Sequence, residues 1–437
     1  MKKQTRCLAL ALLTALLCLI PALAAGDGAM PVEEMRFQIY GDQAELVSGS
    51  ENRDYTHVTV PETYEGYPVR EILDSALSGY PALETVTLPD SLKTIGSSVF
   101  AGDTALKSVT LPAGARLSGG GTFGGCTALE QVILPEGLEE LGIRSFQNCG
   151  ALKTVTIPER VKTIRFEAFA GSGIRELTLP AGLVQIDSRA FAGCKSLSAL
   201  EIPAGVQVID ADAFADCDAE LRVYPCCAAA MEYLQNNPEQ PFVLYAFDDD
   251  DQAGDWTWAA DSVYAAVLDG LVTGYPDNTF RPRQAVTRAE FVAMLYRIYY
   301  RQHLFEIFGS SWGLNPFPDA RGQWYENPLR WACTMGLVQG DEQGLFHPDD
   351  TLTRQDMATM LYRFLDTFYV LEQPSGTRLG RFRDGGSVSA YARPAMEFCL
   401  ENGLIQGMGE GVLTPKETAT RSQSAAILER MLPGLPA

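Results

Sequence analysis

In ALKTVTIPERVKTIRFEAFAGS, residues 151–172, Leu152, Val155 and Ile157 point one way while Lys153, Thr154 and Thr156 point the other. That alternation predicts a half-buried strand. Pro158 then turns the chain, Val161 and Ile164 supply a second apolar pair, and a short helical turn ends on Phe169. The unit recurs. Pro89, Pro112, Pro135, Pro158, Pro180 and Pro203 follow one another in steps of 22 or 23 residues, and Phe100, Phe123, Phe146, Phe169, Phe191 and Phe214 keep the same step. A unit this short cannot bury its apolar face alone, so the copies are expected to stack into a solenoid with a parallel sheet along one face. The outward positions Glu84, Lys107, Glu130, Lys153 and Arg175 alternate in sign until the last step. In a stacked column that relieves like-charge repulsion, and it also makes a charged binding face; both readings stand. One coil departs, with Ala115 and Ser118 in its apolar slots and GGG at 119–121. It is expected to be the loosest. VEEMRFQIYGDQAELV reads as a hairpin capping the N-terminal end, over residues 31–60, and AELRVYPCCAAAMEYLQNN as a strand and helix capping the other end of a solenoid spanning 61–241.

Beyond residue 247 the period changes to that of helices. VTRAEFVAMLYRI at 286–298 begins with a capping box and places Phe291, Met294, Leu295 and Ile298 on one face. Two further copies start at TRQD (353–356) and TRSQ (420–423), with stripes Met357, Met360, Leu361, Phe364 and Ser424, Ile427, Leu428, Met431. Upstream of each threonine the landmarks keep a fixed spacing: an aromatic 29 residues before (Trp258, Trp324, Tyr391) and a glycine 13 before (Gly274, Gly340, Gly407). Phe280, Phe346 and Leu413 follow the glycines, each two residues ahead of a proline. Each copy opens on F-x-D, with Asp249, Asp319 and Asp384. The copies span 247–301, 316–369 and 381–432. Capping explains the threonine and the acid, and the stripe is core. Neither explains Arg288, Arg354 and Arg421, which sit in the first turn, where a helix already favours anions. Two readings are open for them, contact with an acidic ligand and a structural salt bridge.

Composition narrows the function. Asp and Glu number 55 against 34 Lys and Arg, a net charge of −21. Nucleic acid is excluded as a partner because phosphate binding needs a cationic footprint. Lys2, Lys3 and Arg6, an apolar run from Leu8 to Ile20 and Ala22-Leu23-Ala24 read as a secretory signal over 1–24. No other stretch is long and apolar enough to insert in a membrane. Cys126, Cys149, Cys194 and Cys217 each lie three residues after a repeat phenylalanine. A buried thiol column is the favoured reading over disulfides between adjacent coils. The acidic run FDDDDQAGD at 247–255 lacks the ligand pattern of a calcium loop and reads as a linker. His57, His303 and His347 are isolated and no nucleophile, metal or phosphate motif is present, so no enzyme, cofactor or metal site is expected.

The first set of units, with its LxxVxLP strands, AF and GC pairs and the lead-in YEGYPVREI, resembles the BspA-type leucine-rich repeats of bacterial surface proteins. The second set resembles the S-layer homology (SLH) domain. Together they imply a multidomain chain: a leucine-rich-repeat solenoid of parallel β structure with short helical turns, followed by an α-helical SLH pseudo-trimer with grooves between neighbours. The second resemblance implies non-covalent attachment to a secondary cell-wall polysaccharide, typically pyruvylated. On that reading Arg288, Arg354 and Arg421 meet the ketal carboxylate, Trp258, Trp324 and Tyr391 stack on sugar rings, Gly274, Gly340 and Gly407 let backbone amides approach, and Asp249, Asp319 and Asp384 accept sugar hydroxyls. The third copy, with Tyr391, Leu413 and Gln423 at landmark positions, is expected to form the weakest groove. The first resemblance implies adhesion through an unidentified protein or glycan ligand of the solenoid. The alternatives are a structural component of the surface layer and a scaffold for an exoenzyme.

Overall fold

The computed structural model describes residues 28–249, 257–302 and 313–432. The expected signal and most of the acidic run after Asp249 lie outside the described residues. The chain forms two compact units, Met1–Leu221 and Arg222–Ala437.

The first unit is a parallel β-solenoid. His57–Thr59, Thr85–Thr87, Ser108–Thr110 and Gln131–Ile133 stack as one parallel sheet. On another face Tyr67–Ile72, Thr94–Ile95 and Arg116–Leu117 stack in parallel, and so do Glu140–Leu141, Thr163–Ile164, Gln185–Ile186 and Val208–Ile209. The antiparallel hairpin Arg36–Tyr40 with Gln43–Ser48 pairs onto Tyr67–Ile72 and so covers an otherwise open edge. At residues 152–157 no strand ladder is formed, yet Leu152, Val155 and Ile157 are buried while Lys153, Thr154 and Thr156 face out. Hydrophobic alternation sets the side-chain directions there without the hydrogen-bonded ladder.

The core is a column of rings. Phe100, Phe123, Phe146, Phe169, Phe191 and Phe214 stack face to face, with successive centroids 5.6, 5.6, 5.4, 5.3 and 5.2 Å apart. Beside it runs a column of buried, free thiols. Cys126, Cys149 and Cys194 each donate to the carbonyl of the phenylalanine one coil back, at 3.0, 3.1 and 3.1 Å. Burial pushes Cys149 up to about 12 and Cys194 to about 11, which leaves them protonated and unreactive. In the outward column Lys107 meets Glu84 at 2.7 Å.

The GGG coil follows from close approach. Ser75, Ser98, Gly121, Arg144, Glu167 and Arg189, one per coil, all take positive φ. Gly121 therefore occupies a left-handed position that the other coils force on ordinary residues. A Cβ on Gly120 would stand 2.3 Å from the carbonyl oxygen of Ile143. The coil expected to be loosest has its neighbour pressed against its backbone.

The second unit opens with helix α1, Ala228–Asn236, and strand Phe242–Leu244. Six helices follow in three pairs: α2 (Thr257–Leu268) with α3 (Arg288–Gln302), α4 (Glu326–Thr334) with α5 (Arg354–Phe368), and α6 (Arg393–Glu401) with α7 (Arg421–Met431). The capped helix of each copy packs on the first helix of the next: α3 on α4, α5 on α6, and α7 back on α2. A ring of backbone bonds repeats this closure at the centre. Leu352 donates to Val286 at 3.0 Å, Ala419 to Leu352 at 2.8 Å and Val286 to Ala419 at 2.9 Å. All twelve predicted stripe residues are buried.

Candidate functional site

The helix starts form as their sequences dictate. Thr287 Oγ1 accepts from the Glu290 amide while the Glu290 carboxylate accepts from the Thr287 amide, and Thr420 and Gln423 repeat the box. In the second copy the acid is Asp356, one methylene shorter. It takes the Thr353 hydroxyl at 2.5 Å instead of the backbone N–H.

The arginines that capping leaves unexplained reach across to the next copy. Arg288 Nε donates to the Phe346 carbonyl at 2.9 Å and Nη2 to that of Gln339 at 3.3 Å. Arg354 does the same to Leu413 and Gln406, at 3.0 and 2.8 Å, and Arg421 to Phe280 and Thr273, also at 3.0 and 2.8 Å. Each guanidinium thus clamps two carbonyls, one preceding the landmark glycine and one in the extended piece after it. Arg354 is 3% exposed and Arg421 6%, while Arg288 is half-buried beside the Phe346 ring. Burial lowers the pKa of all three from the ordinary arginine value, opposed by nearby carboxylates at Arg288 and Arg354 and first by Tyr275 at Arg421.

The aspartates and glycines have local work. Asp249 accepts from the amides of Phe280 and Arg281, Asp319 from Phe346 and His347, and Asp384 from Leu413 and Thr414. The second residue of each pair has positive φ, so the carboxylate pins a strained turn. Burial would raise Asp319 and Asp384, but these backbone donors outweigh it and hold both below the usual carboxylate range. A Cβ at Gly274, Gly340 or Gly407 would lie 2.5, 2.7 or 2.7 Å from the ring of Phe247, Phe317 or Phe382. The F-x-D phenylalanine therefore requires each glycine, a structural reason the spacing did not supply. The carboxylates meet backbone amides, a contact the sequence did not show.

The aromatics remain available. Trp258 is 54% exposed, Trp324 63% and Tyr391 57%. Cyclic packing brings parts of three copies to one cleft. Trp258 of the first copy, Arg354 of the second and Gln406, Gly407, Gln423 and Arg430 of the third line one cleft of about 310 Å³. That cleft belongs to no single copy. Arg297, Arg363 and Arg430 are additional repeat landmarks that the spacing analysis passed over. Each lies ten residues after the capping threonine and donates to the carbonyl of Leu271, Leu337 or Leu404.

A family profile for the BspA type leucine rich repeat region matches residues 51–149 and 118–226. A profile for the S-layer homology domain matches 248–292, 316–358 and 381–425. The chain is built from BspA-type leucine-rich repeats and three SLH domains. Among curated relatives, an amylopullulanase of Thermoanaerobacterium thermosulfurigenes is 31% identical over 40% of this chain and 9% of its own length. A cellulosome-anchoring protein of Acetivibrio thermocellus is 25% identical over 37% of this chain and 35% of its own. An S-layer protein of Bacillus thuringiensis subsp. finitimus is 25% identical over 40% of this chain and 20% of its own. The chain thus spans about a third or less of the length of these relatives. A crystallised leucine-rich repeat protein from Bacteroides ovatus aligns over 44% of this chain and 46% of its own, at 23% identity and TM-score 0.35. The SLH trio makes this a cell-wall-associated surface protein, anchored through its SLH domains. Among the described residues no helix is long and apolar enough to cross a membrane.

Proposed function

We propose that the SLH clefts hold the protein on an acidic, pyruvylated secondary cell-wall polysaccharide, and that the solenoid serves adhesion or protein interaction without catalysing a reaction. The observation that carries the reading is the pairing of an exposed aromatic with a buried guanidinium in one cleft. A flat ring beside a cation suits a sugar that bears a carboxylate. The cleft lies at the small end of the usual range for small-ligand pockets, which fits one or two sugar units rather than a folded partner. For the solenoid, the support is its outward row of polar side chains, Thr85, Thr87, Thr110 and Thr156, all exposed. The test is sedimentation of the full chain with purified cell walls before and after extraction of the secondary polymer. Binding that vanishes with the polymer supports the reading. Binding that survives extraction removes it, and ordered arrays of the purified protein alone would favour a structural surface-layer component.

A further inference from the structure

On one face of the solenoid the coils are bonded to each other in a repeating way. Lys93 donates to the carbonyl of Arg70, Arg116 to Lys93, Lys162 to Glu139, Val184 to Lys162 and Gln207 to Val184, all at 2.8 or 2.9 Å. A second bond follows within each coil: Gly96 to Ile72, Ser118 to Ile95, Arg165 to Leu141, Asp187 to Ile164 and Asp210 to Ile186. One coil breaks the series. Its corresponding amides, Glu139 and Gly142, donate to no acceptor among the described residues, and Arg116–Leu117 and Glu140–Leu141 fall in separate sheets. The cause is a slip of register. Thr94 pairs with Arg116, an offset of 22, whereas Glu71 pairs with Thr94 at an offset of 23 and Pro89 and Pro112 are also 23 apart. The slipped strand meets the next coil one residue out of phase, and the glycines at 119–121 take up the slack. There the coils touch: a Cβ on Gly142 would stand 2.9 Å from the Gly119 carbonyl oxygen. Toward the proline turns they part around a notch of about 350 Å³, lined by Arg116, Leu117, Glu139, Glu140 and Arg160, with Gly137 in the turn beside it.

The notch is unevenly charged. Glu139 is met by Arg160 at 3.3 Å and Glu140 by Arg165 at 2.7 Å. Arg116 forms no ion pair among the described residues. Nor does Lys93 of the preceding coil, whose Nζ would stand 3.1 Å from a Cβ on Gly114 in the same notch. Two stacked cations on one lip repel each other, and an arriving anion relieves that repulsion. Resting on the reading of the solenoid as an interaction module, and independent of the SLH clefts, we infer that this notch is a peptide site, taking a short extended segment that bears a carboxylate. The segment's carbonyls accept from the Glu139 and Gly142 amides, its N–H groups turn to the open edge of Arg116–Leu117, and its acidic side chain lies against Arg116 and Lys93. An open sheet edge favours peptide over glycan, because an extended backbone repeats donor and acceptor at strand spacing. The volume lies at the small end for ligand pockets, which limits the segment to a few residues.

The test is calorimetry of the full-length protein with acetyl-Thr-Val-Glu-Val-Thr-amide, beside the same peptide with glutamine for glutamate and the same peptide with an N-methylated backbone. Wild type should bind the acidic peptide about tenfold or more tighter than the glutamine one, and the N-methylated one not at all. Arg116→Gln should erase the preference for the acid. Gly137→Phe should plug the notch and abolish binding, while Gly205→Phe, at the same turn position three coils on, should leave it unchanged. Neither glycine has positive φ, and a Cβ meets nothing within 4 Å at Gly137 and only the Ala181 carbonyl oxygen, at 3.8 Å, at Gly205, so both variants should melt like wild type. Equal binding of the acidic and glutamine peptides would overturn the inference. So would binding of the acidic peptide by Gly137→Phe at the wild-type level, which would still leave a solenoid that serves protein interaction elsewhere on its surface. A wild-type chain that ignores all three peptides overturns the inference and removes its support for the wider reading as well.

Discussion

Arg354 clamps two carbonyls, a role that the sequence did not show. Its position in a helix first turn pointed to an anion, but its Nε and Nη2 are taken up by Leu413 and Gln406 carbonyls of the next copy. Spacing along one chain cannot show a bond to a residue about sixty positions away, so the clamp was illegible. Arg354→Lys keeps the charge but loses the two-pronged geometry, leaving a buried carbonyl unpaired. We expect a loss of about 2–3 kcal/mol, measured as a lower midpoint in urea. The glycines and aspartates were legible as landmarks, though their reasons needed the phenylalanine rings and strained turns beside them. Asp319 and Asp384 also make the SLH unit acid-sensitive. Their folded pKa values lie below the unfolded ones, so their stabilisation is present above the unfolded carboxylate range and is lost as pH falls through the folded values. Asp384→Asn should therefore flatten the acid limb of a stability–pH curve. Asp103 behaves oppositely. It stands in the thiol column's register, fully buried, with Oδ2 unpartnered, and burial raises it to about 8. The native state holds a proton that the unfolded chain gives up near pH 4, so stability falls as pH rises from about 4 to 8. Asp103→Asn should raise the melting temperature at pH 8 more than at pH 5; an equal rise at both would contradict this.

At the level of elements, period decided most of what could be read. Alternation located the strands, and the 3.6-residue stripe located the capped helices, because both follow from burying one face. Even where no ladder forms, at residues 152–157, the alternation gave the correct inward side chains. At the glycine coil the structure shows a close approach that the sequence did not. Glycine has no side chain to signal what presses on it, so close approach and looseness look alike in sequence. The Phe column is the solenoid's main cohesive element, each ring touching both neighbours. Phe146→Ala removes a ring from the middle of the stack and should cost about 3–5 kcal/mol. The same truncation at Phe100, whose ring stacks on Phe123 alone among the described rings, should cost less. Chemical denaturation of the two variants side by side checks the order.

The whole molecule is a line of coils in one unit and a closed ring in the other. A solenoid adds copies one by one, so its repeats are similar in kind and their number is open. The SLH trio is cyclic, since Val286, Leu352 and Ala419 bond in a ring and α7 returns to α2. Three fixed-spacing copies hinted at that number, but the direction of closure, and with it the mixed parentage of the Trp258 cleft, needed coordinates. Removing residues 381–437 opens the ring and leaves Arg354 without its two carbonyls. We expect the remaining SLH copies to lose their helical circular dichroism as a unit, rather than by one third. The proposed reading of the SLH unit as a binder of an acidic sugar stands or falls on its ligand. The most direct measurement is a binding isotherm of released secondary wall polymer on immobilised full-length protein, taken before and after mild acid removes the ketal groups. Saturable binding to the native polymer is expected, lost once the ketals are gone; equal binding to both polymers would contradict the proposal.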